Sequence, residues 1–183
     1  MNDRQNDEQA AWYVMRDLKR PNAKEPAYKL LTDKQFRVFT PMQWRLAVRQ
    51  GKRIRELQPF IRDLLFVHES RQRLDPVVRQ TPTLQYRFAV GKKYCEPMTV
   101  PEKDMERFIL ATQATDSPVY YLPEEITPAM HGRRIRVVGG VLDGYEGKLL
   151  TTRGSKVKRL LVELPNFFAV GVEVSPEYIQ VIK

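Results

Sequence analysis

Apolar and polar residues alternate by two along most of this chain, and the breaks in that alternation are as informative as the runs. Ala11-Trp12-Tyr13-Val14-Met15-Arg16 is aromatic and β-branched and predicts a first strand, closed by Pro21 and Asn22. Between 24 and 33, Ala27, Tyr28, Leu30 and Leu31 recur at three- and four-residue steps, which predicts a short helix with Pro26 near its start. Residues 36–41 alternate again and end at Pro41. Residues 45–49 and 53–57 flank Gln50-Gly51-Lys52, the pattern of a hairpin with Gly51 at its tip. Residues 59–67 include the continuous apolar run Leu64-Leu65-Phe66-Val67, expected of a central strand covered on both faces. Leu74, Val77 and Val78 suit a helical turn in which Asp75 caps and Pro76 takes the first position. A strand follows over 84–90, ended by Gly91. Thr99-x-x-Glu102 reads as a capping box, and Met105, Phe108, Ile109 and Thr112 share one face of a helix over 100–113.

The character changes at 114. Residues 114–131 have no apolar period and contain Pro118, Pro123 and Pro128, so they read as a linker, with Val119-Tyr120-Tyr121-Leu122 an apolar island that docks or pairs. Beyond it, Ile135/Val137, the segment 148–152, Leu160/Val162/Leu164, Val170/Val172/Val174 and the segment 178–182 predict five short strands. Strands so closely spaced are expected to close, or nearly close, into a small barrel that hides its edges. Gly139, Gly140, Gly144 and Gly147 punctuate the first bend, where positive φ has no steric cost for glycine. The expected organisation is a tail over 1–10, an α+β domain over 11–113 in which helices flank a mostly antiparallel sheet, the linker over 114–131, and an all-β barrel over 132–183.

Composition removes several functions. No apolar run approaches the roughly twenty residues that span a bilayer, and the polar start has no signal-peptide core, so no membrane contact is expected. The single cysteine, Cys95, excludes an internal disulfide and suits a reducing cytoplasm. His68 and His131 stand in no metal-ligand spacing with it, so no metal is expected. There is no phosphate loop, dinucleotide fingerprint or nucleophile elbow, and Glu124-Glu125 lie between prolines, where no acid–base pair is held rigidly. No catalytic residue and no cofactor are expected. The net charge of +9 divides unevenly, +8 over 1–113 and +1 over 114–183. It is densest at Arg45, Arg49, Lys52, Arg53 and Arg55, which form either a solvated face or a footprint for nucleic acid.

The segment 136–148, a strand, a Gly-rich bend with an acidic residue and a second strand opened by Gly147-Lys148, resembles the KOW motif. Trp12-Tyr13-Val14, Phe39-Thr40-Pro41, Pro59-Phe60 leading into Leu65-Phe66-Val67, the closing helix and the linked barrel together resemble the NusG family, above all its UpxY-like paralogs that antiterminate polysaccharide operons. The resemblance runs over about 11–182. It implies a cytoplasmic, monomeric factor that binds the clamp helices of bacterial RNA polymerase beside non-template DNA or nascent RNA and reduces pausing or termination.

The family's Phe-Phe-Pro-Gly-Tyr segment at the clamp aligns with Phe60-Ile61-Arg62-Asp63-Leu64, which marks Phe60, Ile61 and Leu64, flanked by Phe39 and Pro41, as the implied polymerase contact. Core packing is the competing role for these residues. By the same resemblance, the hairpin cations face polymerase or DNA. Housekeeping members bind Rho or a ribosomal protein through a Phe-Gly-Arg bend; here the region reads Asn166-Phe167-Phe168, either a different partner surface or core. The rival expectation, a ribosome-associated or RNA-binding KOW protein, would place the positive charge on the barrel half.

Overall fold

A computed structural model of the chain describes residues 9–18, 25–88, 96–150 and 157–182. The expectations for residues 1–8, Pro21, Asn22, Val90, Gly91, Cys95 and the positions 151–156 lie outside the described residues. The chain separates into two compact units, Met1–Glu102 and Lys103–Lys183.

The first unit is built on an antiparallel sheet. Strand β1 (Ala11–Asp17) pairs with β5 (Leu64–Glu69) on one side and with β6 (Leu84–Tyr86) and the short β7 (Thr99–Val100) on the other, while β2 (Arg37–Phe39) continues beyond β5. The register sets Tyr13 opposite Val67 and Met15 opposite Leu65. These four point to one face and join Leu31, Phe36, Leu74 and Leu84 in a buried cluster. Helices α1 (Ala27–Asp33) and α2 (Arg71–Gln80) cover that face through Ala27 and Leu31, and through Leu74. The start of α1 is fixed by Asp17, whose carboxylate accepts the Ala27 N–H at 2.7 Å. On the opposite face Trp12, Val14, Leu64 and Phe66 are buried as well, so β1 and β5 are apolar on both sides, as the run over 64–67 predicts.

Three local expectations give way. The strand of 59–67 starts only at Leu64, because Pro59 ends the preceding strand and a turn intervenes. Helix α2 begins at Arg71, one turn before the expected cap, so Pro76 sits inside it. Leu74, fully buried, is what draws that earlier turn onto the sheet, and Asp75 instead accepts hydrogen bonds from Tyr86 Oη at 2.8 Å and Arg71 at 3.3 Å. Thr99 is no capping residue: it pairs with Tyr13 in β7, and α3 (Glu102–Gln113) opens after it.

The second unit is an antiparallel meander. Its order is β13 (Ile179–Val181), β9 (His131–Val137), β10 (Glu146–Leu150), β11 (Arg159–Leu164), β12 (Phe168–Glu173) and β8 (Val119–Tyr121). The apolar island of the linker is therefore a sixth strand, with Tyr120 opposite Val170. Ile135, Val137, Leu160, Val162, Leu164, Val170 and Val172 are all buried. Helix α3 packs here: Phe108 meets Phe168 edge-on at 5.3 Å and Tyr120 at 6.5 Å. A second cluster, Leu150, Leu161 and Ala169, is covered by Tyr121, Ile126 and Met130.

Burial first, and then the Asp75 carboxylate that accepts its hydrogen bond, push the Tyr86 phenol well above the usual tyrosine range. A group raised in the folded state contributes stability that is present below its unfolded value, near 10, and is lost as pH climbs past it. Tyr86→Phe should cost about 1 kcal/mol at neutral pH. In denaturant titrations that difference should shrink above about pH 10; a constant difference would contradict the Tyr86–Asp75 assignment.

Candidate functional site

The expected hairpin forms and is longer than its basic core. Strands β3 (Met42–Arg49) and β4 (Lys52–Pro59) make a two-stranded sheet of their own, in register from Met42 opposite Pro59 to Arg49 opposite Lys52. Gln50 and Gly51 connect them with φ of 49° and 75°. Positive φ at both central positions is the turn whose twist matches the strands it joins, and Gly51 adopts it freely.

The period of two then sorts the side chains. One face holds Gln43, Arg45, Ala47, Arg49, Lys52, Ile54, Glu56 and Gln58; the other holds Trp44, Leu46, Val48, Arg53, Arg55 and Leu57. The five cations are thus split, Arg45, Arg49 and Lys52 on one side and Arg53 and Arg55 on the other. Arg49 is bound to Glu56 at 2.8 Å, with Gln58 donating to the same carboxylate at 2.9 Å, and these hydrogen bonds hold Glu56 below the usual carboxylate range. Arg45 reaches the Phe60 carbonyl at 3.4 Å. Arg55 lies 5.2 Å over the Trp44 ring. Trp44, Leu46, Val48 and Leu57 are exposed, a feature that sequence reasoning missed; the alternation at 44, 46 and 48 was its only signal.

The residues aligned with the clamp contact converge at the base of this ribbon. Phe39 faces Phe66 across β2 and β5 at 6.2 Å between rings, and the Phe60 N–H donates to the Pro41 carbonyl at 2.8 Å. Leu64 N–H donates to the Ile61 carbonyl at 3.3 Å, closing the turn over 61–63. Arg16 at 3.4 Å and Arg87 at 3.2 Å both donate to the Asp63 carboxylate and tie that turn to the sheet. Phe39, Phe60 and Ile61 are half-buried; Pro41 is buried and Leu64 is 3% exposed, so those two serve as packing.

In the barrel, Gly139, Gly140 and Gly144 all take positive φ, while Gly147 is needed for another reason: a Cβ there would lie 2.7 Å from the Leu161 carbonyl oxygen. Asp143 accepts the Gly139 N–H at 2.6 Å, and Tyr178 lies against Gly139 and Gly140. Glu146 is held by Arg136 and by Arg134, first by hydrogen bonding, which lowers its pKa. The adjacent aromatics divide: Phe168 is 2% exposed and belongs to the core, whereas Phe167 stands half-buried after Asn166, whose φ is 69°. A cleft of about 510 Å³ beside α3 is lined by Arg107, Arg134 and Lys148 against Asp104, Glu146 and Glu163, and the balance of charge gives it no preference for either sign. Among the described residues no group of three His, Cys, Asp or Glu could hold a metal, and no helix is long and apolar enough to cross a membrane.

A family model described as "NusG: Transcription termination factor nusG" matches residues 10–109, more than half of the chain. The chain belongs to the NusG family. NusG-family proteins are transcription factors that act on elongation or termination and bind RNA polymerase. A solved structure titled "Domain interaction in Thermotoga maritima NusG" is similar over 96% of this chain and 98% of that one, with 12% identity and a TM-score of 0.45. A comparison with curated proteins found no match. The NusG match spans every element from β1 to β7 and most of α3, so both the ribbon and the cluster at its base lie within it.

This NusG-family chain has two tryptophans with opposite exposure, Trp12 at 1% and Trp44 at 50%. Acrylamide should therefore quench one emission component only, and Trp44→Phe should abolish it. Quenching that persists in the variant would place Trp44 inside the fold.

Proposed function

We propose that this chain is an antitermination factor that rides on bacterial RNA polymerase, using the half-exposed Phe39, Phe60 and Ile61 as its contact with the clamp helices. The observation that carries the reading is that the NusG match falls on the unit in which these three residues lie at the base of a basic ribbon, where β2 and β4 end and the turn into β5 begins. Pro41 and Leu64 hold the backbone beneath them. A half-exposed aromatic flanked by a branched aliphatic on a rigid sheet end is the kind of anchor that dominates protein interfaces.

Phosphates of non-template DNA or nascent RNA would meet the ribbon cations, Arg45 and Lys52 most directly, with Arg49 available in part because Glu56 already holds it. Such contacts are blind to sequence and weaken steeply with salt. The departures from the housekeeping pattern, Phe60-Ile61-Arg62-Asp63-Leu64 at the clamp segment and Asn166-Phe167-Phe168 at the barrel bend, favour a specialised paralog of the UpxY type acting on a polysaccharide operon. They leave Phe167 as the aromatic through which the barrel would meet Rho, a ribosomal protein or another partner.

Ile61→Asp should weaken binding of the full chain to RNA polymerase about tenfold or more, the loss expected of a central interface residue, and should remove read-through of a terminator in a purified transcription reaction. Normal binding by the folded variant would move the contact away from this end of the sheet. Lys52→Ala with Arg45→Ala should leave polymerase binding intact and flatten its salt dependence in the presence of DNA.

A further inference from the structure

The clamp and phosphate contacts leave one exposed surface without a role, the apolar face of the ribbon. Trp44, Leu46 and Val48 stand in a column on β3, with Leu46 76% and Val48 68% exposed. The register sets Leu57, Arg55 and Arg53 directly across from them on β4. Arg53 and Arg55 have no carboxylate partner among the described residues, since the ribbon's only acid, Glu56, faces the other side and holds Arg49. The face therefore presents an apolar column on β3 and, about 5 Å across the ladder, two arginines beside Leu57, with the Arg55 guanidinium lying over the Trp44 ring.

That pairing discriminates between occupants. A phosphate backbone would satisfy the arginines but leave Leu46 and Val48 against polar atoms. A second copy of the ribbon would bring two more arginines into the contact and no acid to meet them. An acidic amphipathic protein helix satisfies both, with its apolar stripe on Trp44, Leu46 and Val48 and the neighbouring carboxylates on Arg53 and Arg55. The dimensions agree: the column from 44 to 48 extends about 14 Å at the strand rise, some nine residues of helix.

We propose that this face of the ribbon docks an acidic amphipathic helix of a protein partner. The site stands on the geometry of the ribbon and does not depend on the clamp contact at Ile61. The column and the arginines are at the surface, so substitutions there leave the cores of the two units untouched.

The test uses the full chain and four probes: a fluorescein-labelled synthetic helix of about eighteen residues with leucines at i, i+3, i+4 and i+7 flanked by glutamates, a scrambled peptide of the same composition, a single-stranded oligonucleotide, and vesicles of phosphatidylglycerol and phosphatidylcholine. The amphipathic peptide should bind about tenfold tighter than the scrambled one and blue-shift Trp44 emission. Leu46→Ser with Val48→Ser should remove that preference while leaving the oligonucleotide affinity unchanged, and Arg53→Gln with Arg55→Gln should remove it too. Absent binding, equal binding of the scrambled peptide, or a Leu46/Val48 double variant that loses oligonucleotide or vesicle binding instead would overturn the proposal.

Discussion

The first unit depends on burying one strand completely. Trp12, Tyr13, Val14 and Met15 are consecutive in β1 and all buried, so both faces of the strand lie in apolar surroundings and both edges are paired. Full burial of such side chains contributes about 1.5–3 kcal/mol each, more than any surface ion pair of the chain supplies. Everything that positions the candidate surface follows from this strand: β5 is locked to it in register, the 61–63 turn is tied to it through Arg16 and Asp63, and Asp17 at its end starts α1. A sheet held this firmly can carry a two-stranded ribbon that packs on little of its own.

The barrel solves a different problem. Among the described residues its six strands are short, and Phe108 from α3 adds to their core, stacking edge-on with Phe168, while Tyr120 from β8 meets Phe168 edge-on as well. Packing on this triad is what draws the apolar part of the 114–131 segment into the sheet. It also takes Phe168 into the core, while Phe167 beside it stays half-buried. The tight approach of β10 to β11 at Gly147 and the Asp143-braced turn show why that motif requires glycines and an acid at fixed spacing, whatever the barrel binds.

Much of this was legible in the residues. The run 64–67 reads as a doubly covered strand because no polar position interrupts it, and Gly51 between basic alternating segments reads as a hairpin because few residues suit that turn. What failed were local signals overruled by packing. Asp75-Pro76 has the form of a helix start, yet burying Leu74 draws the helix back to Arg71; Thr99-x-x-Glu102 has the form of a cap, yet Thr99 pairs with β1. The exposure of Trp44, Leu46 and Val48 was not legible, because alternation reports that a strand has two unlike faces and not whether anything covers the apolar one. For the same reason sequence could align Phe60 to Leu64 with a contact segment but could not separate the half-exposed Ile61 from the buried Leu64.

The central claim is that the sheet end at Phe60 and Ile61 is where this factor holds polymerase. A photo-crosslinking residue placed at 61, in the full chain bound to a stalled elongation complex, tests it most directly. The account predicts a crosslink that maps to the clamp helices and is retained at high salt. A complex that forms but crosslinks to the clamp only from the barrel, or not at all from 61, would contradict it.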